Sequence, residues 1–462
     1  MDTDLMSLLF SKRFLVAFLL FFSFMNFQIL RNNISITVVE MTSNKTIVKG
    51  NETIIEPADF DWNSMTVGFA LSITACGGLL AFFGGFFVDW FGGAVSCAVF
   101  SFIGGIMTTL QPVTLKLGFN LFLVCRFIAG AFESFFYASS SGVILHWFPR
   151  NERSFLAAFS FNGVNVGVAV AYPLCGYLAY KWGWQIVFYV TGALAVITSL
   201  IFGIIVRNRP SEDSWISKKE LTYILERTDD NLDTKVNHPF KSIFTSMAVW
   251  ALNICMFSYI WVSTVTGTCL PLYIKDVTNK NTDEIGMLSA IPNIVFIFSV
   301  LFADLFMNYW NDHSGSSFTL TKIYKIMMTS ACLSTTVSFA ILVLIPNFIV
   351  TMIVFVAIQI ETSFMITIIQ NVVVNLCPDS ANILFGLVVF IFSLGTLISQ
   401  SATSSMVQNH SIHEWHTCFL VTSVVLLISA LIFGIYGSND IQPWSAPPSQ
   451  AAKARRGSLK IL

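Results

Sequence analysis

The sequence predicts an all-α membrane protein of twelve transmembrane helices in two six-helix bundles. Composition is the first observation. Of 462 residues, 55% are hydrophobic and only 11% charged, against roughly 25% charged in a soluble domain. So few polar groups could not cover a soluble exterior. The second is that apolar runs of about 20 residues, long enough to cross a bilayer, recur along the chain. The third is their layout: six runs, a long polar interruption and six more, as expected for two bundles related by internal symmetry.

The first six spans are predicted near 14–38, 65–88, 94–113, 119–145, 156–179 and 184–206. The second six are predicted near 247–273, 285–309, 322–345, 348–374, 381–406 and 415–436. The organisation is therefore a tail over 1–13, a bundle over 14–206, a central loop over 207–245, a second bundle over 246–436 and a tail over 437–462. The first run ends without a small-residue cleavage site, so it reads as a span and not as a signal peptide.

Orientation follows from the tendency of cytoplasmic segments to collect Lys and Arg. With the N-terminus inside, only Lys45, Lys49, Lys116, Lys181, Lys275 and Lys280 of the 25 basic residues fall in outer loops. Arg31 and Arg126 lie within helices, and the rest are on the inner side. Both termini, the central loop and the C-terminal tail are then cytoplasmic. The sequons at Asn44 and Asn51 fall outside, where glycans are added. The sequon at Asn409 is too close to the twelfth span, and that at Asn33 is buried in the first.

A net charge of −1 and 45 Phe point to a lipid bilayer and give no sign of nucleic acid. The nine Cys lie in or at the ends of apolar runs without CxxC spacing, as small core residues do. No metal cluster, nucleophile–base pair or phosphate loop is visible, so neither an enzyme nor a cofactor is expected. In the central loop, Ser217-Lys-Lys-Glu220 reads as a capping box opening a short surface helix to about Leu225. The tail after Trp444 is rich in Pro, Ser and Ala and reads as disordered. Near the N-terminus, Asp4, Leu8 and Leu9 have the acidic–dileucine spacing read by endosomal sorting adaptors. An exposed motif would send the protein to a lysosomal or vesicular membrane; an accidental match, or one hidden against the headgroups beside Lys12-Arg13, leaves the plasma membrane as the alternative.

Charged groups inside a bilayer are costly and mark pathways or cavities. Four stand out: Arg31, Arg126, Glu133 and Glu361. In the first span Gln28, Arg31 and Ser35 share a face. In the fourth, Arg126, Gly130, Glu133 and Tyr137 form a polar stripe, with Arg126 and Glu133 about 10 Å apart along the axis. Arginine offers a forked donor set suited to carboxylate or phosphate, while a glutamate can take up and release a proton. Together they are the parts of an anion site coupled to protons or another cation. The competing reading is a buried ion pair that only locks helices together, with Arg31 alternatively snorkelling to the interface. Glu361 is a pathway candidate or a partner for a neighbouring helix. Asn162 and Asn165 form a weaker polar face of the fifth span, for the cavity or for interhelical hydrogen bonds. His146 reads as interfacial. Asp89, between the second and third spans, and Asp304, at the end of the eighth, read as paired latch elements.

Several motifs resemble a known family. The segment Gly85–Gly93 resembles the loop signature of the major facilitator superfamily, without its basic residues. More specific are Arg31-Asn-Asn-Ile-Ser-Ile-Thr-Val-Val-Glu-Met41, Arg126-x-x-x-Gly130-x-x-Glu133, Trp147-Phe-Pro-Arg-Asn-Glu-Arg-Ser154 and Pro173-Leu-Cys-Gly176. Gly183-Trp184 with Val187-Phe-Tyr189, Ile216-Ser-x-x-Glu220-x-x-Tyr223-Ile224, Gly286-Met-Leu-Ser-Ala-Ile-Pro292 and Gly437-Ser-x-x-Ile-Gln-Pro-Trp444 follow in order. Together they resemble the anion/cation symporter family of sialin, the vesicular glutamate transporters and the sodium–phosphate cotransporters, over about Arg31 to Trp444.

The resemblance implies the major facilitator fold. It also implies transport of organic anions or phosphate driven by protons, sodium or membrane potential, with Arg31, Arg126 and Glu133 at the family's site positions. The chain departs from the family elsewhere. Leu71 stands near the histidine of the glutamate carriers' second helix, and Met256 near the arginine of their seventh. Ala129 replaces the second carboxylate of sialin-like members. Ala81-Phe-Phe-Gly84-Gly85 replaces Thr-Gln-x-Pro-Gly, and Ala138 a proline. These changes argue against glutamate and give no support to sialic acid. They leave an anion channel, an uncoupled leak or a non-transporting sensor on the same fold as alternatives.

Overall fold

A computed structural model of the chain describes residues 11–42, 45–49, 52–83, 87, 90–227, 240–278, 280–313, 319–345, 347–376, 381–409 and 411–442. Asp4, Leu8, Leu9, Asn44, Asn51 and Asp89 lie outside them.

Among the described residues, twelve helices are long and apolar enough to cross a membrane. The first six are Lys12–Thr42, Ser64–Ala81, Gly93–Leu117, Phe119–Trp147, Phe155–Trp182 and Trp184–Ile205. The second six are Met247–Gly267, Thr282–Met307, Leu320–Leu344, Phe348–Val373, Gly386–Met406 and Ile412–Tyr436. The protein is an all-α, multi-pass membrane protein, as expected. Phe298, Leu305 and Leu431 are 66–70% exposed, a pattern that suits a hydrocarbon solvent. The loop after the first span carries a two-stranded antiparallel hairpin, Lys45–Lys49 with Glu52–Glu56.

The seventh span, expected to run unbroken to 273, instead breaks. Met247–Ser263 gives way to a π-helical turn at Thr264–Thr268, followed by a separate helix Leu270–Val277. The β-branched threonines, Gly267 and Pro271 in the first turn of the new helix disfavour a continuous run. None of the eight described cysteines forms a disulfide.

The chain divides into two compact units. The first holds spans one to six and the segments Gly267–Ile294 and Gln400–Ile412. Its core is aromatic: Phe24 and Phe27 of the first span pack on Phe136 of the fourth at 5.1 and 4.6 Å between ring centres. Spans two and four cross in backbone contact. A Cβ on Gly77 would lie 2.1 Å from the Phe127 carbonyl oxygen, and one on Gly130 would lie 2.0 Å from that of Thr74. This crossing sets Thr74 beside the polar stripe of the fourth span. Gly130→Ala should lower the melting temperature of detergent-purified protein, because overpacking of this kind costs about 1–3 kcal/mol. An unchanged melt would mean that the two helices part freely.

A second close crossing joins the fifth span to the start of the eighth. A Cβ on Gly176 would lie 3.1 Å from the Gly286 Cα. Nearby, the Thr282 hydroxyl donates to Glu40 of the first span, and Tyr172 donates to Asn32 at 3.4 Å.

The linker helix spans Lys218–Arg227, and only half of its expected capping box forms. Ser217 Oγ accepts from the Glu220 N–H at 3.2 Å. The Glu220 carboxylate turns away and accepts instead from the backbone N–H groups of Lys12 and Arg13, at 3.1 and 3.0 Å. It thereby caps the first span from a distance, where a negative charge is favoured by the helix dipole. Lys12 pairs with Asp213 at 3.0 Å and Arg13 with Glu152 at 2.7 Å. Tyr223 donates to Glu152 at 2.8 Å while the Arg13 guanidinium lies 4.6 Å from its ring centre. Ile224 is fully buried. The helix expected to lie on the surface is fastened to the first and fifth spans.

The second unit holds Thr234–Thr266, Val295–Ser399 and the chain from His413 onward. Here the seventh span meets the twelfth, with Trp261 Nε1 donating to Thr422 Oγ1 at 3.1 Å. Asn439, after the twelfth span, accepts from Asn375 of the tenth at 3.2 Å.

Candidate functional site

The first unit contains a small internal cavity of about 10 Å³, lined by Arg31, Thr74, Thr108, Gln111, Arg126, Glu133 and four apolar or small residues. Three of the four singled-out charges meet here. Arg31 projects from the first span, and Arg126 and Glu133 from the same face of the fourth. Arg31 Nη1 lies 3.4 Å from Glu133 Oε1. Arg126 is 2% exposed and Glu133 5%.

Arg126 does not take Glu133 as its hydrogen-bond partner. Its Nη1 donates to Gln111 Oε1 of the third span at 3.1 Å. Its Nε is buried without a hydrogen-bond partner, as is Thr74 Oγ1. The cavity thus holds two guanidiniums against one carboxylate, with buried donors to spare. Removing charges from water is expensive unless they are compensated. The lining is net positive, which favours an anion once the cavity widens enough to admit one. Ala129 lines the same cavity and brings no charge to it.

The other sequence candidates fall elsewhere. Tyr137 packs against Phe24 at 5.0 Å between ring centres and reaches Gln28. It thus continues the stripe without lining the cavity. Asn165 donates to Asn162 at 3.3 Å, so the two hydrogen-bond each other. Asn33 is fully buried in the first span and donates to Thr191 at 3.3 Å. His146 binds the Gly142 carbonyl oxygen of its own helix at 2.7 Å. Glu361 belongs to the second unit. There it accepts from Ser338 of the ninth span at 3.1 Å, and Ser334 and Thr335 also face it. This is the interhelical contact that was the alternative to a pathway role. Its Oε2 is buried without a hydrogen-bond partner. Asp304 is exposed on the eighth span, beside Tyr324 of the ninth.

Gln111, Thr108 and Thr74 escaped the sequence reading, which followed charges. Gly104, Thr108 and Gln111 repeat the four-and-three spacing that exposed the stripe of the fourth span. Gln111 also stands directly before Pro112, a helix-interior proline. Polar spacing in an apolar span was the available signal.

The fold and this buried polar centre define a secondary transporter of the major facilitator superfamily. The chain belongs to that family, whose model matches residues 14–314 and 252–461. Its relatives are those the motifs indicated. It is 27% identical to vesicular glutamate transporter 1 of Xenopus tropicalis over 463 residues, covering 94% of this chain and 76% of the relative. It is 25% identical to sialin of Ovis aries over 465 residues, covering 95% and 92%. Solved structures share the fold. A bacterial homologue of the human lysosomal transporter Spinster, inward-facing and occupied, aligns with a TM-score of 0.70 at 14% identity over 90% of this chain and 95% of that one. A D-xylose–proton symporter aligns with a TM-score of 0.70 at 15% identity over 92% and 99%.

Proposed function

We propose that the protein carries a small organic anion or inorganic phosphate across the membrane by alternating access, coupled to protons, sodium or the membrane potential. The observation that supports this reading is the charge imbalance of the cavity: Arg31 and Arg126 against Glu133 alone. Arg126 is the principal substrate ligand, with Arg31 as the second. Glu133 is the coupling group, and Glu361 a second one in the other unit. Tyr137, Asn162 and Asn165 extend the polar path, while Asp89 and Asp304 act as conformational latches.

The electrostatics give the coupling its sign. With Glu133 ionised, Arg31 is neutralised and Arg126 alone is left to attract an anion. Protonating Glu133 removes the negative charge of the lining and raises its net positive charge, so a proton and an anion favour each other's binding. Reciprocity then makes proton release on one side promote anion release there. Alternating access would also have to part the Gly176–Gly286 crossing and the Thr282–Glu40 hydrogen bond. Two glycines in backbone contact separate without unlocking interdigitated side chains.

The distribution of basic residues supports cytoplasmic termini, with glycans on Asn44 or Asn51 in the lumen or outside. Asp4, Leu8 and Leu9, read by endosomal adaptors, would direct the protein to a lysosomal or vesicular membrane; without that recognition its address is the plasma membrane.

The test is flux into proteoliposomes holding the purified protein. Inorganic phosphate, L-glutamate, N-acetylneuraminate and simple mono- and dicarboxylates would be offered under imposed pH, sodium or voltage gradients. At least one anion should accumulate above its equilibrium level. Movement that only equilibrates would favour a channel or leak, and no movement of any anion would overturn the proposal.

A further inference from the structure

We infer that Gln111 is a neutral placeholder for the substrate: its amide oxygen holds Arg126 in the binding geometry until an anionic oxygen replaces it. The inference rests on the reading of Arg126 as an anion ligand and adds a residue and a step to it.

Gln111 is 1% exposed. Its Oε1 takes the Arg126 Nη1 donor at 3.1 Å, while Arg126 Nε remains without a hydrogen-bond partner. Glu133, one cavity wall away, is engaged by Arg31. A guanidinium left with no acceptor would be free to swing onto Glu133 and close the site as an internal ion pair. An acidic acceptor would hold it but would also neutralise it. A neutral amide does the first task without the second. It fixes the fork, satisfies one N–H and leaves the positive charge intact.

Exchange is then downhill for the right ligand. The bond from the guanidinium to the Gln111 amide already has a charged donor; a carboxylate or phosphate oxygen adds the attraction of an opposite charge, which the neutral amide lacks. An entering anion can also use the idle Nε donor in a two-pronged contact. Helix geometry permits the handover. Pro112 lacks an N–H, so the Thr108 carbonyl loses its helical donor and the third span is locally loosened beside the cavity. Thr108 lies one turn from Gln111 on the same wall, and both line the cavity.

A purely structural tether predicts something different, and two substitutions separate the two roles. Gln111→Glu keeps the shape and the acceptor but supplies the charge that belongs to the substrate. Gln111→Leu removes the acceptor and adds no charge. A placeholder role predicts that Gln111→Glu loses uptake of every anion that the wild type carries, by at least about tenfold. Gln111→Leu should keep measurable uptake with a raised KM. A tether predicts the reverse order.

A second measurement needs no substrate. Gln111→Glu pairs a buried guanidinium that now has only a neutral partner, so its melting temperature in detergent should exceed that of the wild type. Inorganic phosphate at millimolar concentration should raise it no further. An equal or lower melting temperature, or wild-type uptake by Gln111→Glu, would overturn the inference. If Arg126→Lys impairs uptake while Gln111→Glu transports normally, only the placeholder role falls. If Arg126→Lys is itself without effect, the binding site is wrong.

Discussion

Arg126→Lys is expected to transport at one tenth of the wild-type rate or less, at equal surface expression. Both side chains are positive, so a site that needed only a charge would tolerate the exchange. The geometry asks for more. Arg126 holds Gln111 with one nitrogen and leaves another buried and idle. An ammonium is a single compact centre that cannot hold two acceptors in a planar fork. Losing one hydrogen bond to a charged partner costs about 1.5–3 kcal/mol, which is roughly ten- to a hundredfold in binding. Initial uptake rates across a concentration series would separate a raised KM from a lowered maximal rate, with surface biotinylation as the expression control. Uptake by the lysine variant with wild-type kinetics would show that the fork is not used.

Glu133→Gln is expected to uncouple the protein without silencing it. The amide keeps the size of the carboxyl and resembles its protonated form, but it cannot release a proton. Arg31 loses its ionic partner at 3.4 Å, and the cavity is left permanently in its more positive state. Anions should therefore bind at least as tightly as in the wild type. Anion exchange across the membrane should persist, whereas accumulation driven by an acid-outside gradient should vanish. In proteoliposomes, counterflow measures the first and pH-driven uptake the second. Accumulation that still follows the pH gradient would remove Glu133 from the coupling role.

Much of the architecture was legible because lipid is a simple solvent. A run of apolar residues long enough to cross the bilayer has few alternatives to a helix. The Phe348–Leu376 and Trp184–Ile205 helices accordingly start where hydropathy placed them. The break after Ser263 was not legible, since Thr264, Thr266 and Gly267 are apolar enough to pass as part of a span. The site was half legible. The 3.6-residue period alone put Arg126 and Glu133 on one face, and charge rarity marked Arg31. Which helix brings its polar groups to meet them is a matter of packing. Thr74 enters the cavity because spans two and four touch through Gly77 and Gly130, and Gln111 because the third span packs on the fourth, where a Cβ on Gly93 would lie 2.9 Å from the Val143 nitrogen. Both contacts depend on side chains that are absent, and absence leaves little trace in a single sequence. Glu220 shows the opposite failure. Its local motif was read correctly as a helix start, but tertiary structure took the carboxylate for another helix.

The capping of the first span by Glu220 also bears on the order of synthesis. Translation makes Lys12 and Arg13 first, and N-terminal segments begin to fold while the rest is still being made. Of their partners, Glu152 emerges after four spans have been built, and Asp213 and Glu220 only after six. Until then the two cations stand unneutralised beside the first apolar run, in the state in which basic residues instruct membrane insertion. The same charges are later drawn into ion pairs, with the Lys12 and Asp213 side chains only 8% and 4% exposed. Charges that are bare during synthesis are thus neutralised by segments made later. The first bundle is not finished when its sixth helix ends at Ile205; it waits for the linker to fasten the end that was made first.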